Sequence, residues 1–184
     1  MSEPRPTPDA DRYAVAKAAL SQIPHAVAII GAADGTERSC ATGTCMYVSL
    51  RPPQVAIAEH PGSRTAKLVQ ASREFSVSLL HSSQQDVAMA AGRSAPGPDK
   101  FASLRITAQD APDGLTAPAV AGSIAILWCR VVDERVTGDH ILFVGEVAAH
   151  RVDLAKGDAL LRYRRRYTHV GHWTSDVAPE GYPT

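Results

Sequence analysis

One short segment combines three side chains that can bind an anion. Ser63, Arg64 and Thr65 follow a predicted turn at residues 60–62 and open a predicted helix over residues 64–72. A helix N-terminus presents unpaired N–H groups and the positive end of the helix dipole, and a guanidinium can bind phosphate through two parallel hydrogen bonds. The segment therefore predicts a phosphate site. The alternative is an ordinary helix cap beside a solvated arginine.

Two further segments carry groups that suit a nucleotide. His140 opens a predicted strand after a glycine and an aspartate, where an imidazole can bind a ligand or move a proton near neutral pH. Residues 162–167 contain four arginines and two tyrosines, which can stack on and neutralise a phosphorylated aromatic ligand. Each segment taken alone is equally typical of a turn histidine or of solvated arginines beside packed tyrosines.

Composition limits the class of protein. The chain has 184 residues, 45% hydrophobic and 21% charged, with 19 basic and 19 acidic side chains. This is the size of one ordinary domain, and zero net charge argues against a nucleic-acid partner. No apolar run reaches the ~18 residues that span a bilayer, and the N-terminus lacks a signal-peptide pattern, so no membrane partner is expected. Three cysteines without C-x-x-C spacing predict reduced thiols, no metal site and a cytoplasmic protein.

The elements that must position these groups are mostly strands. Apolar and β-branched runs predict strands over residues 26–30, 40–50, 54–58, 75–80, 123–136 and 139–152. Helical spacing predicts a first helix from Asp11 to before Pro24, with Ile23 on its apolar face, helices over 64–72 and 83–91, and a helical turn within 154–163. Antiparallel strands with few short helices favour a closed or nearly closed β-barrel, because one small sheet would leave its edges bare.

The same patterns set the domain boundaries. Residues 1–10 contain three prolines and almost no large apolar side chain, which predicts a flexible N-terminal tail. Residues 11–173 are expected to form a single domain. Residues 174–184 are expected to form an irregular C-terminal tail.

The order of these features resembles a known family. It is carried by ATGTCMYVSLRPP at residues 41–53, SRT at 63–65, FSVSLL at 75–80, DKF at 99–101, GDH at 138–140, FVGEV at 143–147, LLRY at 160–163 and Tyr167. In this order and spacing they resemble the flavin reductase-like family of FMN-binding split-barrel proteins. The resemblance covers residues 23–167, most of the chain.

The resemblance implies a fold and an activity. The fold is mainly β, an antiparallel Greek-key split barrel with a few short covering helices, and it forms a homodimer. The activity is that of an NAD(P)H-dependent flavin reductase, which transfers hydride from NADH or NADPH to FMN or FAD and supplies reduced flavin to a separate monooxygenase. Two other functions stay open: an enzyme that uses bound FMN on its own organic substrate, and a non-catalytic flavin-binding module.

The resemblance also assigns residues. The cofactor-binding positions are Ala41, Thr42, Gly43, Thr44, Cys45, Ala58, Glu59, Ser63, Arg64 and Thr65. His140 would position the nicotinamide, and Tyr163, Arg164 and Tyr167 would close its site. Where many members carry Thr-Ala-Asn-Ser-Phe-Thr-Ser, this chain has ATGTCMY at residues 41–47. Position 43 thus lacks the amide side chain, and main-chain contacts to flavin are expected there.

Overall fold

A computed structural model describes residues 8–153, 155 and 157–171, in which short helices surround long strands. The strands are β1 His25–Ala26, β2 Ala28–Ala33, β3 Arg38–Gly43, β4 Cys45–Leu50, β5 Pro53–Glu59, β6 Glu74–Leu79, β7 Ala108–Gln109, β8 Ala119–Val120, β9 Ala125–Thr137, β10 His140–Val152, β11 Leu160–Tyr163 and β12 Arg166–His169. The helices are α1 Pro8–Leu20, α2 Arg64–Ser72, α3 Gln85–Ala91, which follows a 3-10 turn at Ser82–Gln84, and α4 Lys100–Ser103. Among these residues, no helix is both long and apolar enough to cross a membrane.

The main sheet closes on itself at Thr44. Its seven strands run in the order β3-β2-β6-β9-β10-β5-β4, and every pair is antiparallel. β3 and β4 therefore lie at opposite edges, yet only Thr44 separates them along the chain. The sheet must curl until these edges meet, which makes a barrel that is split at Thr44. This confirms the predicted fold class.

The barrel interior is packed with aromatic and branched side chains. Phe75 and Phe143 are fully buried and lie in one cluster with Ile57 and with Val69 of α2. Gly145 permits this packing, because a Cβ there would overlap the Phe75 ring. A second cluster lies under α3 and α4. The first cluster fixes α2 against the barrel wall through Ala66, Leu68 and Val69, and that position decides where its N-terminus points.

Local turn chemistry produced the predicted hairpins. The turn after β2 is held by Asp34, whose carboxylate accepts hydrogen bonds from the backbone N–H groups of Thr36 and Glu37 at 2.9 and 2.8 Å. These bonds lower the pKa of Asp34. Gly138 turns between β9 and β10 with φ +60°, as the spacing predicts.

Several boundaries differ from the sequence prediction. The strand predicted over residues 40–50 is two strands, since each half pairs with a different neighbour. The helical turn predicted within 154–163 is wrong for Leu160–Tyr163, which pairs as a strand with β1 and β12. The first helix begins at Pro8 rather than Asp11 and ends at Leu20, so Ile23 lies outside it. The N-terminal tail predicted over residues 1–10 is wrong for residues 8–10, which belong to the first helix; residues 1–7 and the C-terminal tail predicted over 174–184 lie outside the described residues.

Candidate functional site

Two adjoining cavities open at the split of the barrel and share one residue, Thr42. The first has a volume of about 380 Å³ and is lined by Gly43, Thr44 and His140, among others. The second has a volume of about 300 Å³ and extends from Thr42 to Ser63 at the N-terminus of α2. A ligand that reaches from one cavity into the other must therefore pass along Thr42.

The backbone of β3 is available at this point because β3 is an edge strand. The N–H of Arg38 donates to Pro98 O at 2.8 Å, and Cys40 O accepts from Lys100 at 2.6 Å, so both groups point away from the sheet. Outward-facing residues alternate along an antiparallel strand. Thr42 is the next in this series, so its N–H and C=O point away from β2 at the residue that lines both cavities. By the same alternation the backbone groups of Gly43 point toward β2, so the main-chain contact expected at position 43 is available at Thr42 instead.

The N-terminus of α2 forms one end of the second cavity. Ser63 has extended backbone angles, and its Oγ accepts a hydrogen bond from the N–H of Ala66 at 3.0 Å, as an N-cap does. The N–H groups of Arg64 and Thr65 lie in the first turn, where a helix supplies no partner. Because they sit at the positive end of the helix dipole, they suit an anion.

Two predicted phosphate ligands have other partners. The terminal nitrogens of Arg64 donate to Ala95 O at 2.5 Å and to Gly97 O, so the guanidinium holds the loop of residues 93–98 over the cavity. The bidentate phosphate grip expected of Arg64 is therefore not the arrangement in this structure. The Thr65 hydroxyl is buried and lies 3.0 Å from Ser39 Oγ, which leaves the Thr65 backbone N–H as its contribution.

Lys100 is a cation of this cavity that the sequence analysis missed. It lines the second cavity and is only 8% exposed. Its Nζ donates to Cys40 O at 2.6 Å and to Ala91 O at 2.8 Å. Burial lowers the pKa of Lys100. An ammonium has three donors, so one remains for a ligand after these two bonds. The signal was the Asp-Lys-Phe run of residues 99–101, which carried the resemblance but had no assigned role.

Glu59 is a buried carboxyl between the cavities. It is 5% exposed, and Ser63 Oγ lies 3.4 Å from its Oε2. Burial raises the pKa of Glu59 to about 7, although the Ser63 hydrogen bond and the charges of His140 and Lys100 lower it. Glu59 therefore contacts the second cavity through Ser63, which lines it.

The first cavity is cationic. Arg162, Arg164 and Arg165 of the β11–β12 hairpin line it together with His140. Arg164 and Arg165 both have left-handed backbone angles, with φ of +48° and +65°. This conformation is costly for residues with a Cβ. Backbone strain of this kind is found preferentially at functional sites.

The predicted nicotinamide residues fall into two groups. His140 and Arg164 line the cavity, and His140 Nδ1 lies 2.7 Å from Asp139 Oδ1. Tyr163 and Tyr167 support the arginines: Arg164 lies 5.1 Å from the centroid of the Tyr163 ring, and Arg162 lies 5.8 Å from that of Tyr167.

The remaining predicted cofactor positions surround the same split. Ala41 lines the second cavity and Ala58 the first. Cys45 lines a third cavity of about 430 Å³ that shares Thr44 and Ala58 with the first. Burial raises the pKa of the Cys45 thiol, so this thiol is neutral at neutral pH. It is suited to packing against a ligand rather than to nucleophilic attack.

These residues fit a flavin phosphate. Thr42 offers both a donor and an acceptor at the junction, as the polar edge of a flavin ring requires. The helix N-terminus and Lys100 provide positive charge at one end. The first cavity is lined by His140 and three arginines, and its positive charge suits a second phosphorylated ligand.

Comparison with known proteins agrees with this geometry. The flavin reductase-like domain family matches residues 20–171. The reductase subunit HsaB of a flavin-dependent monooxygenase of Mycobacterium tuberculosis is 33% identical over 138 residues, which is 71% of each chain. An NADH:riboflavin 5'-phosphate oxidoreductase of Streptomyces pristinaespiralis is 30% identical over 81% of this chain and 83% of its own.

A solved structure shares the fold over nearly the whole chain. Nitrilotriacetate monooxygenase component B from Mycobacterium thermoresistibile superimposes with a TM-score of 0.80 at 28% identity, covering 95% of this chain and 94% of its own. Family, relatives and fold therefore agree along the segment that builds the two cavities. The chain belongs to the flavin reductase-like family and, like the relatives that share its sequence and fold, is a flavin reductase.

Proposed function

We propose that the chain transfers hydride from NADH to FMN and releases the reduced flavin to a separate monooxygenase component. FAD is the alternative flavin and NADPH the alternative donor. The observation that carries the proposal is the pair of cavities joined at Thr42, one lined by the N-terminus of α2 and Lys100 and the other by His140 and three arginines. The names of the relatives, a monooxygenase reductase subunit and an NADH:riboflavin 5'-phosphate oxidoreductase, support the reaction and the partner.

In this proposal, the chain binds and orients and the cofactor does the redox chemistry. Bound flavin supplies the ring that accepts hydride. Thr42 orients the polar edge of that ring, and Ser63, Lys100 and the first N–H groups of α2 hold the phosphate. His140 and the hairpin arginines would hold the nicotinamide nucleotide in the first cavity. Stacked contact at roughly 3–3.5 Å is what hydride transfer requires.

The phosphate site predicts a difference between two flavins. Ser63→Ala is expected to weaken FMN binding about tenfold, since a hydrogen bond to a charged group contributes roughly 1.5–3 kcal/mol. Riboflavin lacks the phosphate, so its affinity should change less than about twofold. Titration of both flavins measures this. Ser72→Ala, at the other end of α2, is the matched control, and an equal loss for FMN and riboflavin would count against the phosphate site.

His140 is expected to bind the nicotinamide nucleotide through a hydrogen bond. His140→Ala should raise the Michaelis constant for NADH about tenfold through loss of a hydrogen bond to a charged ligand, with little change in FMN affinity. Steady-state kinetics at saturating FMN measure this constant. His150→Ala on the same strand is the control, because His150 is exposed. If the Michaelis constant for NADH and the turnover were both unchanged in His140→Ala, His140 would have no role in binding the nucleotide.

A homodimer is part of the proposal. The edge strand β4 exposes Met46, Tyr47 and Leu50 by 62%, 62% and 70%, and Met46 also lines the third cavity. Exposed apolar side chains on an unpaired edge strand favour contact with another chain, and closed two-fold pairing is the commonest such arrangement. Sedimentation should give twice the 19.5 kDa of one chain. A monomer at micromolar concentration would contradict this.

A cytoplasmic location is also proposed. Cys40, Cys45 and Cys129 are free thiols, as reducing compartments favour.

The two other functions left open by the sequence would differ from a flavin reductase in how fast they oxidise NADH. An enzyme with its own organic substrate would retain flavin and oxidise NADH slowly, and a binding module would consume none.

A further inference from the structure

Glu59 places a carboxyl group beside a site proposed for an anion. It ends β5 and is 5% exposed, with Oε2 3.4 Å from Ser63 Oγ. A Cβ at position 43 would lie 3.7 Å from the other carboxyl oxygen, Oε1. The carboxyl therefore lies between β3, which faces both cavities, and the residue that caps α2.

Ser63 has only one proton to donate. Its Oγ already accepts the N–H of Ala66 at 3.0 Å. If Glu59 is ionised, the carboxylate is an acceptor only, and the Ser63 proton is directed to it. If Glu59 is protonated, it can donate to the second lone pair of Ser63 Oγ. The Ser63 proton is then free for a phosphate oxygen.

Charged groups from two other elements face Glu59. His140 lies on β10 and Lys100 on α4, and both charges lower the pKa of Glu59, as does the Ser63 hydroxyl. Burial outweighs them and raises the pKa from its ordinary value of 4.5 to about 7. The β3 neighbour, Gly43, carries no charge. The protonation state of Glu59 therefore changes within the range in which enzymes work.

We propose that Glu59 couples binding of the flavin phosphate to the uptake of one proton through Ser63, so that FMN is distinguished from riboflavin most strongly below neutral pH. The proton comes from solvent and resides on the Glu59 carboxyl, and the Ser63 proton turns to the phosphate. This inference rests on the proposed function, in which the flavin phosphate lies at the N-terminus of α2. Glu59 acts through Ser63 and is a positioning residue.

The test is a titration of FMN and riboflavin at pH 6, 7 and 8. The dissociation constant of FMN should rise about tenfold from pH 6 to pH 8, since one linked proton changes affinity by at most tenfold per pH unit. The second ionisation of the phosphate, near pH 6, acts in the opposite direction because it adds charge to the ligand. Riboflavin should vary less than about twofold across this range.

Glu59→Gln tests whether the Glu59 carboxyl causes the pH dependence of FMN binding. The amide is a permanent donor of nearly the same shape, so FMN affinity in this variant should no longer fall as pH rises. Glu146→Gln is the matched control, because Glu146 is exposed on β10. If Glu59→Gln and the unaltered chain share the same pH dependence for FMN, the proposal is overturned. If FMN and riboflavin bind equally at pH 6 in the unaltered chain, the phosphate site itself is wrong.

Stability provides a readout that needs no ligand. Because the pKa of Glu59 is raised in the folded chain, the folded state holds more protons than the unfolded state between about pH 4.5 and 7, so stability falls as pH rises through that interval. Glu59→Gln should remove this contribution and flatten the dependence of unfolding on pH. An unchanged slope in the variant would overturn the assignment of the titration to Glu59.

Discussion

Replacing Lys100 with methionine is expected to lower stability and flavin affinity together. The ammonium joins the outward-facing carbonyl of Cys40 in β3 to the last turn of α3 at Ala91. Methionine keeps the volume and removes the hydrogen bonds to both carbonyls. Each of the two buried carbonyls left without a partner costs about 1–3 kcal/mol, so we expect a loss of about 2–6 kcal/mol. At about 2–4 °C per kcal/mol for a chain of this size, thermal unfolding should shift by roughly 4–24 °C.

The same substitution should weaken the binding of FMN more than the binding of riboflavin. Lys100 lines the cavity at the α2 N-terminus, so removing its charge should weaken FMN about tenfold or more and riboflavin much less. Lys67→Met provides the matched control, because Lys67 is exposed on α2. A Lys100→Met protein with unaltered unfolding and an unaltered ratio of FMN to riboflavin affinity would show that Lys100 has neither role.

Arg165→Gly is expected to stabilise the chain while weakening NADH binding. Arg165 has a φ of +65°, which costs an L residue roughly 1–2 kcal/mol and costs glycine nothing. Part of this gain is offset by the greater freedom of glycine in the unfolded chain, so a net increase of about 0.5–1 kcal/mol is expected. The lost guanidinium should raise the Michaelis constant for NADH about tenfold, because a charge-assisted hydrogen bond contributes about 1.5–3 kcal/mol.

Arg105→Gly is a close control for this prediction. Arg105 has a φ of +56° and is exposed in the loop after α4. It should show the same gain in stability without any change in the Michaelis constant. Calorimetry and steady-state kinetics on both variants give the comparison. If Arg165→Gly behaves like Arg105→Gly in both measurements, the strained hairpin has no part in binding the nucleotide.

Features set by neighbouring residues could be predicted from the sequence. Ser63 caps α2 as its type and position indicate, because the bond to Ala66 spans only three residues. The glycine turn at residue 138 joins β9 to β10 for the same reason. The resemblance added the order of the motifs, and it brought Thr42, Ser63 and His140 to one split in the barrel.

Features set by closure of the barrel could not be predicted. Thr44 separates two strands at opposite edges of the sheet, and nothing in the run of residues 40–50 signals that change of neighbour. Lys100 meets Cys40 across 60 residues, and Arg64 meets loop carbonyls 31 and 33 residues away. Their side-chain types were visible in the sequence, but their partners depend on how α2, α3 and α4 pack against the barrel.

This chain is proposed to reduce flavin with a nicotinamide nucleotide and to release the reduced flavin. The most direct measurement follows NADH absorbance in air with the purified chain, with and without added FMN. Rapid oxidation that increases with added FMN and saturates is the predicted result. A folded protein that binds FMN but leaves NADH unoxidised, with NADPH giving the same outcome, would contradict the account.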